Sequence, residues 1–131
     1  MPLESPVAQW QLDAQAGRAY LTLPERNELA MVGTIPSPEG EKIIALGAYY
    51  LDKKTNRAEV ALVTLDDWQG KGLGTRMMTA LMDAARIHRL TMMEGTVLRQ
   101  NAAMLQMMRD LGFSVSRVPD DPDIVAVERW L

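Results

Sequence analysis

The chain has 131 residues, 47% of them hydrophobic, with 14 Lys and Arg against 17 Asp and Glu for a formal charge of −3. That length suits one domain with a real core, taken as residues 1–131, and the acidic balance argues against nucleic acid as a partner. The absence of cysteine removes disulfides, thiolate zinc sites and a thiol nucleophile together. With an N-terminus that lacks a basic and apolar leader pattern and no stretch of membrane-spanning length, it predicts a cytoplasmic chain with no membrane partner.

In chain order, two strand-like runs come first, at 8–12 and 18–23, alternating well enough for a hairpin turned by 14–17. Strands follow at 29–35 and 42–51, separated by a turn at 36–40, and a polar patch at 52–56 turns the chain into a strand over 57–65. This antiparallel meander leads into Asp66-Asp-Trp-Gln-Gly-Lys-Gly-Leu-Gly-Thr75, a glycine-rich turn that opens onto a helix. The helix runs from about 72 to 89, with Leu73, Met77, Leu81, Ala84 and Ala85 on its buried side and His88 and Arg89 in its last turn. A strand at 94–98 precedes a second helix, N-capped by Asn101, striped by Met104, Leu105, Met108 and Leu111, and ended by Gly112. Strands at 113–118 and 124–130 close the chain, joined by the Pro119-Asp-Asp-Pro-Asp123 tip.

The glycine turn is the most informative segment. Gly70, Gly72 and Gly74 alternate, so several peptide N–H groups can point into one cavity with no Cβ in the way. The following helix adds its free N-terminal donors and the positive end of its dipole, which makes a seat for a phosphate or pyrophosphate. A Walker-type loop fails, because Lys and Ser/Thr do not follow Gly74 in that order. A dinucleotide fingerprint is weakened by the G-x-G-x-G spacing, but Glu94, 20 residues past Gly74, keeps it open as the ribose-binding acid. The third pattern, [RQ]-x-x-G-x-[GA], is met by Gln69, Gly72 and Gly74.

In that third form the segment resembles motif A of the GNAT superfamily of N-acetyltransferases, which bind the pyrophosphate of acyl-coenzyme A. The segment Asn101-Ala-Ala-Met-Leu-Gln-Met-Met-Arg-Asp-Leu-Gly-Phe113 resembles the family's later helix, written N-x-x-A-x-x-x-Y-x-x-x-G-F. The wording around Trp68 and the tyrosine-free second helix are similar to the acetyltransferase module of protein lysine acetyltransferases. The resemblance covers roughly residues 29–130. It implies an α/β (α+β) fold with a mixed, largely antiparallel sheet and two main helices. Residues 1–28 depart from the family, which begins with a strand and two helices that form one wall of the acceptor groove.

The resemblance further implies an acetyl-CoA-dependent N-acetyltransferase, with no metal, acting on a primary amine of a small molecule or a protein lysine. Gln69, Gly70, Lys71, Gly72, Gly74 and Thr75 would hold the pyrophosphate, and the backbone of Val63 and Leu65 the pantetheine. Asn101 would stand near the thioester. Glu59 shares a strand face with Ala61 and Val63, and a carboxylate among small apolar neighbours suits a general base. Its bland alternative is a strand residue paired with Arg57 or a lysine. The family's proton-donating tyrosine is replaced by Met108, leaving water, Tyr49 or Tyr50 to protonate the thiolate. The methionines of the two helices read as adaptable core filler, with an acyl or pantetheine channel as the second reading. A CoA-binding sensor without turnover is the alternative function. The closing segment 125–131 is a candidate for pairing between subunits of a homodimer.

Overall fold

The computed structural model describes the backbone of residues 7–13, 17–25, 28–64 and 72–131, and side chains within 28–63 and 72–131. Eight strands form one sheet: β1 (Val7–Asp13), β2 (Gly17–Glu25), β3 (Glu28–Ser37), β4 (Gly40–Asp52), β5 (Arg57–Thr64), β6 (Met92–Leu98), β7 (Ser114–Arg117) and β8 (Ile124–Trp130). Their spatial order is β1-β2-β3-β4-β5-β6-β8-β7. Every neighbouring pair is antiparallel except β5 and β6, which run parallel because helix α1 (Leu73–Ile87) carries the chain across between them. Helix α2 (Ala102–Asp110) makes the second crossover, from β6 to β7. The mixed, largely antiparallel sheet with two helices matches the sequence expectation, including the N-terminal hairpin of β1 and β2.

Both helices cover the same face. Alternation along the strands sends Leu29, Met31, Tyr49, Ala58, Val60, Met93, Val97, Val125 and Val127 into that side, where they meet Leu73, Met77, Met78, Leu81, Met82, Ala84 and Ala85 of α1. Leu105 and Met108 of α2 complete the core. Close contact at Gly74 locks the helices together, since a Cβ built there would lie 3.1 Å from the Met107 sulfur and 3.6 Å from a Leu62 methyl. The opposite face carries no helix among the described residues. Leu46, Tyr50, Val63, Leu98 and Trp130 are exposed on it.

The expected caps form. Asn101 Oδ1 accepts the Met104 amide at 3.2 Å, and Gly112 ends α2 in the left-handed region at φ 90°. The closing segment does not lie at an edge. β8 pairs with β6 along its whole length on one side and with β7 over residues 125–128 on the other, so it lies inside the sheet and β7 is the edge strand. The β7–β8 hairpin inserts its second strand beside β6, an order that local patterning does not encode.

Candidate active site

The site begins where two strands part. The β5–β6 ladder holds for three pairs, Arg57 with Met92, Ala58 with Met93 and Glu59 with Glu94, and then stops. Each strand keeps its outer partner beyond that point: β5 stays on β4 through Thr64 and Ala45, and β6 stays on β8 through Leu98 and Ile124. The inner edges diverge and leave a V-shaped cleft of about 130 Å³. Val60, Ala61 and Leu62 form one wall and residues 95–98 the other, with Asn101, Met104, Met108 and Val127 closing it from the helix side.

Gly95 stands at the vertex. A Cβ there would lie 3.0 Å from the Val60 carbonyl oxygen and 3.3 Å from a Val60 methyl. The glycine therefore lets β6 run close to β5 at the moment they separate. A glycine inside a strand was the sequence signal for this approach.

Beside the cleft lies the N-terminus of α1. Gly72 precedes it at φ 81°, a left-handed conformation that a glycine adopts without penalty. Its N-cap is a glycine with no side chain to bond the free amides, and its first turn holds no acidic residue, so the positive dipole end suits an anion. The Gly74 contact with Leu62 and Met107 sets that end against the cleft's helix-side wall. Of the expected cofactor set, Asn101 lines the cleft, Gly74 packs on the cleft residue Leu62, and Gly72 and Thr75 flank Gly74 at the start of α1. Leu65, Gln69, Gly70 and Lys71 lie outside the described residues, as do Asp66, Asp67 and Trp68. Val63 follows Leu62 toward the end of β5, with its side chain exposed on the face away from the helices.

Glu59 sits one residue before the vertex on the open face, exposed to solvent rather than enclosed by the apolar neighbours that the alternation suggested. It is not paired with Arg57. That guanidinium turns instead to Glu94 at 3.3 Å and Glu128 at 3.9 Å, side chains that register places in one row with Glu59 across β5, β6 and β8. Glu94 is thereby committed to an ion pair on the face opposite α1, away from any pyrophosphate at the helix N-terminus.

The tyrosines divide clearly. Tyr49 is 3% exposed on the helix-covered face, and its hydroxyl lies 2.8 Å from His88 Nδ1 at the C-terminus of α1. Burial pushes its phenol up to about 12, so it holds its proton tightly and is a poor donor to a thiolate. Tyr50 lies on the open face beside Glu59, its register partner.

A parting pair of parallel strands next to the start of a helix, in a mixed sheet of this order, is an arrangement that can take an extended ligand ending in an anionic group. The acetyltransferase (GNAT) family model matches residues 4–113, and the chain belongs to that family. Two curated relatives, L-methionine sulfoximine/L-methionine sulfone acetyltransferases of Pseudomonas paraeruginosa and Pseudomonas aeruginosa, are each 38% identical over 58 residues. That match covers 44% of this chain and spans about a third, 34%, of the relatives' length. Among solved structures, the GNAT domain of S. lividans PAT superposes with a TM-score of 0.69 at 23% identity, covering 80% of this chain and 61% of that one. The PaiA N-acetyltransferase of Thermoplasma acidophilum, solved in complex with coenzyme A, gives a TM-score of 0.69 at 17% identity, with 80% and 62% covered. These likenesses are ones of fold.

Proposed function

We propose that the chain transfers an acetyl group from acetyl-CoA to a primary amine by direct attack in a ternary complex, working as a single domain over residues 1–131. The observation that carries this reading is the β5–β6 cleft, whose wall residue Leu62 packs on Gly74 in the first turn of α1. The helix N-terminus and the glycine turn before it, with Gln69, Gly70, Lys71, Gly72, Gly74 and Thr75, hold the pyrophosphate. The pantetheine arm lies in the cleft and bonds the free inner edge of β5 around Val63 and Leu65, with Asn101 close to the thioester. Backbone donors aimed at the carbonyl oxygen are worth a few kcal/mol as negative charge develops there.

The acceptor comes from the open face, where Glu59 takes the amine proton as the nitrogen bonds to the carbonyl carbon and the carbon–sulfur bond breaks. The thiolate takes its proton from water, because Met108 has none to give and Tyr49 is tied to His88. With no cysteine, no thiol of this chain can carry the acyl group between two half-reactions. The names of the curated relatives favour a small amino-acid-like amine over a protein lysine as the acceptor.

Calorimetry with acetyl-CoA, CoA and NAD, followed by thiol release with a panel of amino acids, polyamines and lysine peptides, tests the reading. Acetyl-CoA binding with amine-dependent thiol release is expected. Tight binding without release for any amine would favour a CoA sensor. Glu59→Gln should depress turnover while sparing acetyl-CoA affinity, and unchanged kinetics would remove Glu59 from the mechanism. Light scattering tests for a homodimer.

A further inference from the structure

The cleft narrows where β5 and β6 begin to pair, and the path of α2 brings one of its side chains to that depth. β6 runs from the vertex at Gly95 outward to Leu98, and the chain turns back through Asn101 into α2. α2 then travels inward, because β7 begins at Ser114 opposite Glu128, which is itself paired with Glu94 at the vertex level. Met104 therefore lies nearer the mouth. Met108, one helical turn and about 6 Å further along, reaches the depth at which the strands close. Both line the cleft, and Met108 is 3% exposed. The remaining walls at this depth are Val60 and Val127, whose methyls lie 3.3 Å and 3.9 Å from where a Gly95 side chain would start.

We infer that Met108 is the specificity-determining residue for acyl-chain length, its thioether forming the floor on which the acyl group rests. The inference builds on the proposed acetyl-CoA reading. Val60 and Val127 belong to paired strands and are fixed by them, whereas the methionine ends in an unbranched, rotatable stem. Such a floor yields to one additional methylene and resists several. The ligand class is short linear acyl-CoA thioesters, acetyl and propionyl, with longer chains excluded.

The test is calorimetric titration of CoA and of acetyl-, propionyl-, butyryl- and hexanoyl-CoA into the wild-type chain, Met108→Ala and Met108→Leu. No acceptor is required. The methionine floor gives way to one methylene, so the wild type should bind acetyl- and propionyl-CoA within about 10-fold of each other; each further methylene pressed against it costs roughly 10-fold or more, so hexanoyl-CoA should lose more than about 100-fold. In Met108→Ala the hexanoyl loss should shrink to within about 10-fold, while Met108→Leu, of similar volume, keeps the wild-type ranking. Far-UV circular dichroism checks folding. If Met108→Ala does not fold, Met108→Val replaces it, with the same relief expected for butyryl-CoA. The wild-type ranking retained in the folded shortened variant would overturn the assignment of Met108 while leaving the enzyme reading intact. A wild type that binds neither CoA nor acetyl-CoA would remove both.

Discussion

Two glycines two residues apart at the start of α1 should respond differently to alanine, one losing stability and the other not. Gly72 has φ 81°, and none of the described residues lies within 4 Å of a Cβ added there, so the cost of Gly72→Ala is taken as conformational. Holding an L-residue in the left-handed region costs roughly 1–2 kcal/mol, offset by about 0.4–1 kcal/mol because alanine restricts the unfolded chain. The net is a loss of about 1 kcal/mol, which for a chain of this length lowers Tm by about 3–5 °C. Gly74 lies inside α1 with an ordinary helical φ, and alanine there gains about 0.5–1 kcal/mol of helix propensity. Its Cβ would meet the Met107 sulfur at 3.1 Å, the flexible part of a side chain that can swing aside. Gly74→Ala is therefore expected to be neutral to slightly stabilising. Thermal unfolding followed by far-UV circular dichroism reads both. Gly72→Asn should fall less than Gly72→Ala, since asparagine tolerates the left-handed region. Equal losses in both alanine variants, or an asparagine variant as unstable as alanine, would refute a conformational origin.

Asn101→Ala removes the side-chain acceptor of the Met104 amide and should cost about 1 kcal/mol in urea unfolding, with a weaker acetyl-CoA Kd because the same residue lines the cleft. Tyr49 binds its proton more tightly folded than unfolded, with a phenol near 12 against an ordinary 10.0, so stability is full below pH 10 and declines as pH rises from there toward 12. That decline should approach 2–3 kcal/mol, roughly 1.4 kcal/mol for each unit of displacement, and Tyr49→Phe should abolish it while losing about 1 kcal/mol at pH 7 with the His88 hydrogen bond. Urea unfolding at several pH values measures both. On adding CoA, amide hydrogen exchange should slow along residues 60–63 and 95–98 more than at Glu59 and Glu94, which are already paired; uniform slowing would argue against the ligand lying between the strands.

What was legible in the sequence was local. Asn101 as a cap, Gly112 as a left-handed stop and the stripe of Leu73, Met77, Leu81, Ala84 and Ala85 each follow from short-range geometry, and each stands as expected. The place of Glu59 was half legible. Alternation puts it on the face of Ala61 and Val63, but it does not say that both helices cover the other face, so the exposure of the carboxylate was missed. The pairing of Arg57 with Glu94 and Glu128 depends on β8 entering the sheet beside β6, a contact between segments far apart in the chain. The opening beside β5 was implied by the family resemblance, through the backbone of Val63 and Leu65, and not by local patterning, although Gly95 within a strand was its trace.

The insertion of β8 also explains how the sheet sustains an opening in its middle. An unpaired backbone group buried without water costs roughly 1–3 kcal/mol, so two strands that simply drifted apart would be penalised along both edges. Here β6 retains a complete antiparallel ladder to β8 from Met92 to Leu98, and β5 retains its own to β4 from Arg57 to Thr64. Each strand forgoes partners only on the edge that faces the cleft, and those are the groups a ligand bearing amides can satisfy. Had β7 taken the place beside β6, its four residues, Ser114–Arg117, would have covered little more than half of the seven in β6. The outer part of β6 would then have lacked a partner on both sides. The longer returning strand is what allows β6 to leave β5, and so the chain order β7 then β8, reversed in space, is part of how the site is made.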